Sequence, residues 1–403
     1  MLAGLGTGRE PLRLRDMDRN SSPYILFRDD LAERQLLFAS PSELVIARRV
    51  DEVIPALRRL EECRASGKWL AGYLAYEAGY AFEEKLRPLV PECRETPLVC
   101  MGVFDRPVDD GYPRLEPPAG LKSDATLSEP HAAWNEESYA ARFSVLHDHL
   151  RKGDCFQGNL TMPIEAHWPG DARELFWSLI ARQPVRYGAL AELGGPAIVS
   201  RSPELFFSID ENGWIETHPM KGTAARGATP EEDEAIKQQM LADEKTLAEN
   251  RMIVDLLRND ISHVSEAGTL LVPKLFEIET YPTVHQMVSH VRARLLPDAG
   301  LPEIMRALFP CGSITGAPKL SAMTILQKLE RVPRDVYCGA IGWCDPAGPM
   351  RFSVAIRTIS LFSGGRAVFN VGGGIVFDSM PQAEYEECLL KARFAVGDQW
   401  ISR

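Results

Sequence analysis

The sequence contains no CxxC pair, no HExxH and no Cys/His cluster. That leaves no reading as a structural or catalytic zinc protein. Its eight cysteines, at 63, 93, 100, 155, 311, 338, 344 and 388, are scattered. This is the pattern of reduced thiols in a cytoplasmic protein, not of a disulfide framework. None lies in a Gly-x-Cys-x-Gly elbow, so a cysteine-hydrolase nucleophile is missing. No apolar run approaches the roughly 18 residues of a membrane span. The opening MLAGLGTGREPLRLRDMDRN lacks the apolar core and cleavage site of a secretory leader. Positive charge is in deficit: 45 Lys and Arg face 56 Asp and Glu, a net charge of −11. Neither nucleic acid nor an anionic membrane is expected as a partner, and any anionic ligand needs a local positive site. No tandem repeat is visible.

What is present is an ordinary globular composition, 45% hydrophobic and 25% charged over 403 residues. A chain of that length buries a core unaided. Residues 1–20 read as a loosely ordered N-terminus. Residues 21–130 form an N-terminal part with strands at 24–27, 36–39 and 44–47, a helix from 53 to 66, and an apolar stretch at 69–82. It ends in a Pro-rich linker over 105–130. Residues 131–403 form the remainder, folded together with that part. Tyr139, Phe143, Leu146 and Leu150 fall three and four apart and predict a helix over 135–152. Strands at 197–200, 205–209, 214–218, 352–361 and 367–371 follow one another too closely for helical crossovers. The fold class is therefore α+β with antiparallel sheets.

Two helices carry acids in unexpected places. Thr229-Pro-Glu-Glu232 is a capping box that opens a helix expected to run to about residue 260. Glu249 shares a face with Met252, Ile253 and Leu256. It reads either as the edge of the apolar stripe or as a carboxylate held in a cleft. Ser379-Met-Pro-Gln382 opens the last helix in the same manner, with Glu384, Glu387 and Lys391 in one line. That line is either a solvated face neutralised by Lys391 or, with Glu249, a set of hard oxygen ligands for Mg2+.

Gly312-Ser-Ile-Thr-Gly-Ala-Pro-Lys319 misses the phosphate-loop pattern, and Pro318 removes a donor. Gly372, Gly373 and Gly374 follow a strand without dinucleotide spacing. Both are tight turns or, with Lys319 and Arg357 nearby, a cradle for a small polyanion. Lys221, in His-Pro-Met-Lys-Gly-Thr, is either a solvated lysine or one desolvated enough to act as a nucleophile.

GDCFQGNLT (153–161), RSPE (201–204), PMKGT (219–223), ENRMIVDLLRND (249–260), GSITGAPK (312–319), GAIG with AIRT (339–342, 355–358) and GGGIVFDSMPQAEYEE (372–387) occur in one order over about 150–400. Together they resemble the chorismate-utilising enzymes, which include anthranilate, aminodeoxychorismate, isochorismate and salicylate synthases. The resemblance implies two large orthogonally packed antiparallel sheets with outer helices. It further implies Mg2+ held by Glu249, Glu384 and Glu387 at the ring carboxylate of chorismate. Gly372, Gly373, Gly374, Ser313 and Thr315 would complete that side, with Tyr337 and Arg357 on the enolpyruvyl carboxylate. Gln157, Thr223 and Lys391 are the remaining substrate-binding positions.

Two positions separate the subfamilies. The water-activating members carry Lys where this chain has Gln157, and a neutral amide is a poor base. Anthranilate synthases usually carry Ala where this chain has Lys221, and aminodeoxychorismate synthases carry Lys. The resemblance thus implies amination of chorismate at ring C4 by way of a Lys221 adduct at C2, with Glu204 as general acid. Such enzymes are classed by convention with the transaminases, and this one would serve the 4-aminobenzoate and folate branch. An anthranilate-type reaction is the alternative, followed by isochorismate chemistry or a non-catalytic chorismate- or tryptophan-binding protein. Ammonia would come from a separate glutamine amidotransferase subunit, because this chain carries no glutaminase nucleophile.

Overall fold

The computed structural model describes residues 23–108, 126–281 and 284–397. The expected loose segment at 1–20 and residues 109–125 of the expected linker lie outside them. Every strand pairing is antiparallel, in two sheets. The first has the order Gly316–Ala317, Gln157–His167, Arg366–Ile375, Thr358–Leu361, Ala197–Ser202, Tyr187–Glu192, Tyr24–Asp29, Arg34–Ala39. Ser128–Ala132 also pairs with Gln157–His167. The second runs Met220–Ala225, Val284–Arg294, Trp214–Thr217, Leu205–Ile209, Met350–Val354, Ala340–Cys344, Trp69–Leu74, Val99–Phe104, Glu43–Ala47, with Leu271–Thr280 beside Val284–Arg294.

Three apolar cores set the layers. One lies between the sheets and joins Ile25, Phe38, Ala189 and Ile198 of the first to Ala71, Tyr73, Phe104 and Ile341 of the second. The others seat helices on the outer faces. Val53, Leu57 and Leu60 of helix Val53–Ala65 and Ile253, Val254 and Leu257 of helix Glu244–Ser262 cover the second sheet. Tyr139, Phe143 and Leu146 of helix Glu136–Lys152 and Cys388 and Ala392 of helix Pro381–Val396 cover the first. Removing these side chains from water is what holds the four layers together. The N-terminal strands are woven in: Tyr24–Asp29 pairs with Tyr187–Glu192, and Trp69–Leu74 with Ala340–Cys344.

The structure departs from the sequence reading at four places. The helix expected from 229 to 260 is two helices, Pro230–Ala242 and Glu244–Ser262. Asp243 leaves the helical backbone between them, and its carboxylate accepts from Lys245 N. The strand expected at 352–361 is also two, Met350–Val354 in the second sheet and Thr358–Leu361 in the first. Gly372, Gly373 and Gly374 lie inside strand Arg366–Ile375 and pair with Thr161, Leu160 and Asn159. The last helix is capped by Met380, not Ser379, whose hydroxyl donates to Glu384 Oε1 at 2.7 Å.

Candidate active site

The chain passes between the sheets at two neighbouring crossings, and each carries a predicted site residue. Pro203 and Glu204 connect Ala197–Ser202 of the first sheet to Leu205–Ile209 of the second. Residues 355–357 carry the chain back from Met350–Val354 to Thr358–Leu361. The crossings are tied together: Val354 N donates to Glu204 O at 3.1 Å and Arg201 N to Arg357 O at 2.9 Å. Ser202 Oγ donates to Val354 O at 2.6 Å. Arg357 takes a φ of 50° here, a left-handed backbone that a non-glycine residue holds at a cost of order 1–3 kcal/mol.

Glu204 is 5% exposed. Burial pushes its carboxyl up to about 7, against the lowering effects of the Ser313 hydroxyl and the Lys221 charge. Ser313 Oγ, on the short 3-10 turn Gly312–Ile314, donates to Glu204 Oε1 at 2.7 Å. The half-buried Arg357 has no ionic partner among the described residues, and burial alone pulls its guanidinium down to about 10. A cation left without a carboxylate in a protein interior is a receptor for an anion.

Lys221 comes from the edge strand of the second sheet and meets the Gly372–Gly374 strand of the first. A methyl group on Gly374 would stand 3.1 Å from Gln157 Nε2 and 3.3 Å from Lys221 Nζ. Burial, then the charge of Lys391, lowers the Lys221 pKa against the opposing fields of Glu204, Glu249 and Glu387. Gln157 Nε2 is buried with no hydrogen-bond partner. The amine, the amide and the narrow glycine strand thus bound one space.

The three predicted metal carboxylates line the same cleft from two helices. Glu249 and Glu384 have raised pKa values, mainly from burial, and the charge of Glu387 adds to both shifts. A methyl on Gly373 would lie 2.8 Å from Glu384 Oε2. Cations already attend the group: Lys391 Nζ is 2.6 Å from Glu387 Oε1 and donates to Gly372 O at 2.8 Å, and Lys245 Nζ is 4.0 Å from Glu249. The trio does not bring its oxygens within 4.8 Å of one another. Glu277, Glu279 and His290, on a hairpin of the second sheet, do. Three hard carboxylate oxygens around an anion-binding cleft suit Mg2+ by donor type. Glu249 is also not central to its helix's apolar stripe, which is Ile253, Val254, Leu257 and Ile261, but at its edge.

The remaining predicted positions divide. Tyr337 is buried, and burial raises its hydroxyl pKa. Thr315 Oγ1 turns to its own loop, donating to Cys311 O at 3.1 Å. Thr223 is exposed and donates to Gln286 Oε1 at 2.9 Å. Lys319, read as part of an anion cradle, is paired with Asp260 at 2.8 Å and donates to Leu308 O at 3.0 Å. Its charge is therefore engaged at the base of the loop.

Sequence reasoning missed the hub beneath the site. Arg334 and Glu330 form a buried pair at 2.7 Å. Arg334 also donates to Ile314 O at 3.1 Å and Asn159 O at 2.7 Å, while Glu330 Oε1 accepts from Thr161 N at 3.0 Å. One ion pair thus fixes the Ser313 loop and the Gln157 strand. The only available signal was a Glu and an Arg four residues apart behind an apolar helix stripe.

Residues 23–397 match the family described as chorismate binding enzyme. The chain is 38% identical over 336 residues to aminodeoxychorismate synthase component 1 of Klebsiella aerogenes, covering 78% of this chain and 74% of that one. It is 41% identical over 258 residues to aminodeoxychorismate synthase of Streptomyces griseus, 64% of this chain but 36% of the longer relative. Among solved structures, anthranilate synthase component I from Streptococcus pneumoniae superposes with a TM-score of 0.76 at 26% identity, over 96% of this chain and 94% of that one.

Proposed function

Since the chain belongs to the chorismate-binding enzymes, we propose that it aminates chorismate at ring C4, giving 4-amino-4-deoxychorismate. The observation that carries this reading is Lys221, a lysine lowered in pKa by burial, beside the unpartnered Gln157 amide and across from the buried acid Glu204. The curated relatives of that name support it.

Arg357 and Tyr337 hold the enolpyruvyl carboxylate, the arginine through its planar fork. The neutral Lys221 amine forms a bond to C2 as the C4–O bond breaks. Glu204, protonated near neutral pH because it is desolvated, gives its proton to the departing hydroxyl, which leaves as water. Ammonia then bonds to C4, the double bonds shift back, and the C2–Nζ bond breaks to release the lysine. Chorismate and ammonia become the amino product and water, with no oxidant or reductant. The residues fitted for Mg2+ are Glu249, Glu384 and Glu387. Bound there, the ion would supply a positive charge for orienting and polarising the ring carboxylate. Lys391 and the Gly372–Gly374 backbone shape the wall beside it. Ammonia comes from solution or from a separate glutamine amidotransferase.

The test is Lys221→Ala in chorismate, Mg2+ and ammonium, with products separated by chromatography. We expect the 4-amino product to fall by at least about 10²-fold, the scale of losing a positioned reacting group, and an ortho-amino product to appear. An unchanged rate and product removes Lys221 from the reaction.

A further inference from the structure

Among the described residues no hydrogen bond or ion pair holds the Lys221 amine, and its pKa is set by burial and by surrounding charges. Its direction is therefore a property of its backbone, and that backbone is irregular. The register between strands Met220–Ala225 and Val284–Arg294 slips between Met220 and Thr223. At the slip Gly222 has a φ of 93°, which glycine holds without strain. A Cβ there would lie 2.4 Å from Thr246 Cγ2, so helix Glu244–Ser262 closes over the bulge.

Among the described residues the bulge has one side-chain clamp. Gln286, across the ladder from Thr223, donates from Nε2 to Gly222 O at 3.0 Å and accepts from Thr223 Oγ1 at 2.9 Å. A ladder that slips leaves backbone groups without their regular partners. The Gln286 amide satisfies one of them, the carbonyl directly after Lys221. Further back, Ser289 N donates to Pro219 O at 3.1 Å and Ser289 Oγ to Asn250 Oδ1 at 2.6 Å, which anchors the start of the strand to the helix that carries Glu249.

We propose that Gln286 is a positioning residue: its amide holds the bulge at Gly222 and so keeps Lys221 aimed into the cleft beside Gln157 and Gly374. This rests on the reading of Lys221 as the reacting amine. Gln286 is joined to the reaction only through the backbone. Without the clamp the bulge relaxes towards a regular ladder. Successive residues of a strand alternate in direction, so a shift of one residue would turn Lys221 out of the cleft. The charged groups facing Lys221 in its present position are Lys391 and Glu387 from the last helix, Glu249 from the helix over the bulge and Glu204 from the crossing.

The experiment compares Gln286→Leu, which keeps the size and removes both bonds, with Thr223→Val, which removes one. In full-length protein with chorismate, Mg2+ and ammonium, Gln286→Leu should lower kcat by about 10²-fold, the scale of a misplaced reacting group. KM for chorismate should stay near the parent value, which also reports that the variant is folded. The alkaline rise of the pH–rate profile should move to higher pH, because a better solvated Lys221 keeps its proton longer. Thr223→Val should move the same quantities in the same direction by less. Parent-like kcat and pH profiles in folded Gln286→Leu and Thr223→Val overturn the proposal. Lys221→Ala with unchanged products overturns instead the reading on which it rests.

Discussion

Ser313 donates its hydroxyl to Glu204 Oε1 at 2.7 Å. This bond joins the crossing between the two sheets to the glycine-rich loop, and it opposes the rise in pKa that burial imposes on the carboxyl. The acid is thus tuned from two directions, by a dry environment and by one donor.

A first prediction concerns that tuning. The Glu204 carboxyl stands at about 7 in the fold against 4.5 for the ordinary group. A carboxyl raised in the folded state contributes its full stability below the unfolded value and loses it as pH rises through the folded value. Glu204→Gln should therefore gain stability relative to the parent between pH 5 and pH 8, readable as a melting-temperature difference that grows with pH. The same variant should lose at least about 10²-fold in kcat. Ser313→Ala, which removes the lowering influence, should move the alkaline fall of the rate profile to higher pH, because the general acid keeps its proton longer.

Arg357 should matter to substrate and not to the fold. It has no carboxylate partner among the described residues and sits where burial depresses its pKa. A charge-assisted hydrogen bond contributes about 1.5–3 kcal/mol, so Arg357→Ala should raise KM for chorismate by about 10–150-fold. The melting temperature should hold or rise, because a half-buried charge without an ionic partner among the described residues is removed. A fall in stability with KM unchanged would assign Arg357 to structure.

Gly374→Ala is a steric probe of the space between the sheets. The added methyl would crowd Gln157 Nε2 and Lys221 Nζ at 3.1 and 3.3 Å. Both are ends of flexible side chains, so the protein should fold normally. Amination should fall sharply, and a product assay beside a thermal melt separates the two effects.

The pair beneath the site should behave in the opposite way. Glu330 and Arg334 are almost wholly buried, and removing one partner leaves an uncompensated charge. Arg334→Met should cost about 3–5 kcal/mol of stability by denaturant titration. The conservative double change of both residues to apolar side chains should recover much of it.

The fold class and much of the candidate site's make-up were legible because each depends on local pattern. Tyr139, Phe143, Leu146 and Leu150 declared their helix by spacing and are all buried. Motif order brought Glu204, Lys221, Gln157 and Gly374 into one reading, and the structure sets the last three side by side, with the charge of Lys221 felt at Glu204. What could not be read depends on long-range placement. The 352–361 strand looks continuous in sequence, and only the sheet assignment reveals that Arg357 sits where it breaks. The helix after Thr229 has no Gly or Pro at Asp243 to announce its interruption. Lys319 looked available because its partner Asp260 is 59 residues away. The Gln286 clamp on Gly222 spans 64 residues and leaves no periodic trace.

The paired crossings have a consequence for how this scaffold can change its chemistry. Glu204 and Arg357 are locked at a shared seam by main-chain bonds, so loop remodelling elsewhere leaves the spacing of this buried carboxyl and this guanidinium intact. Gln157 and Lys221 hang from strand ends beyond the seam and can be exchanged one at a time. Diversification is cheap where the backbone is already committed, and the tied joint is what makes it so.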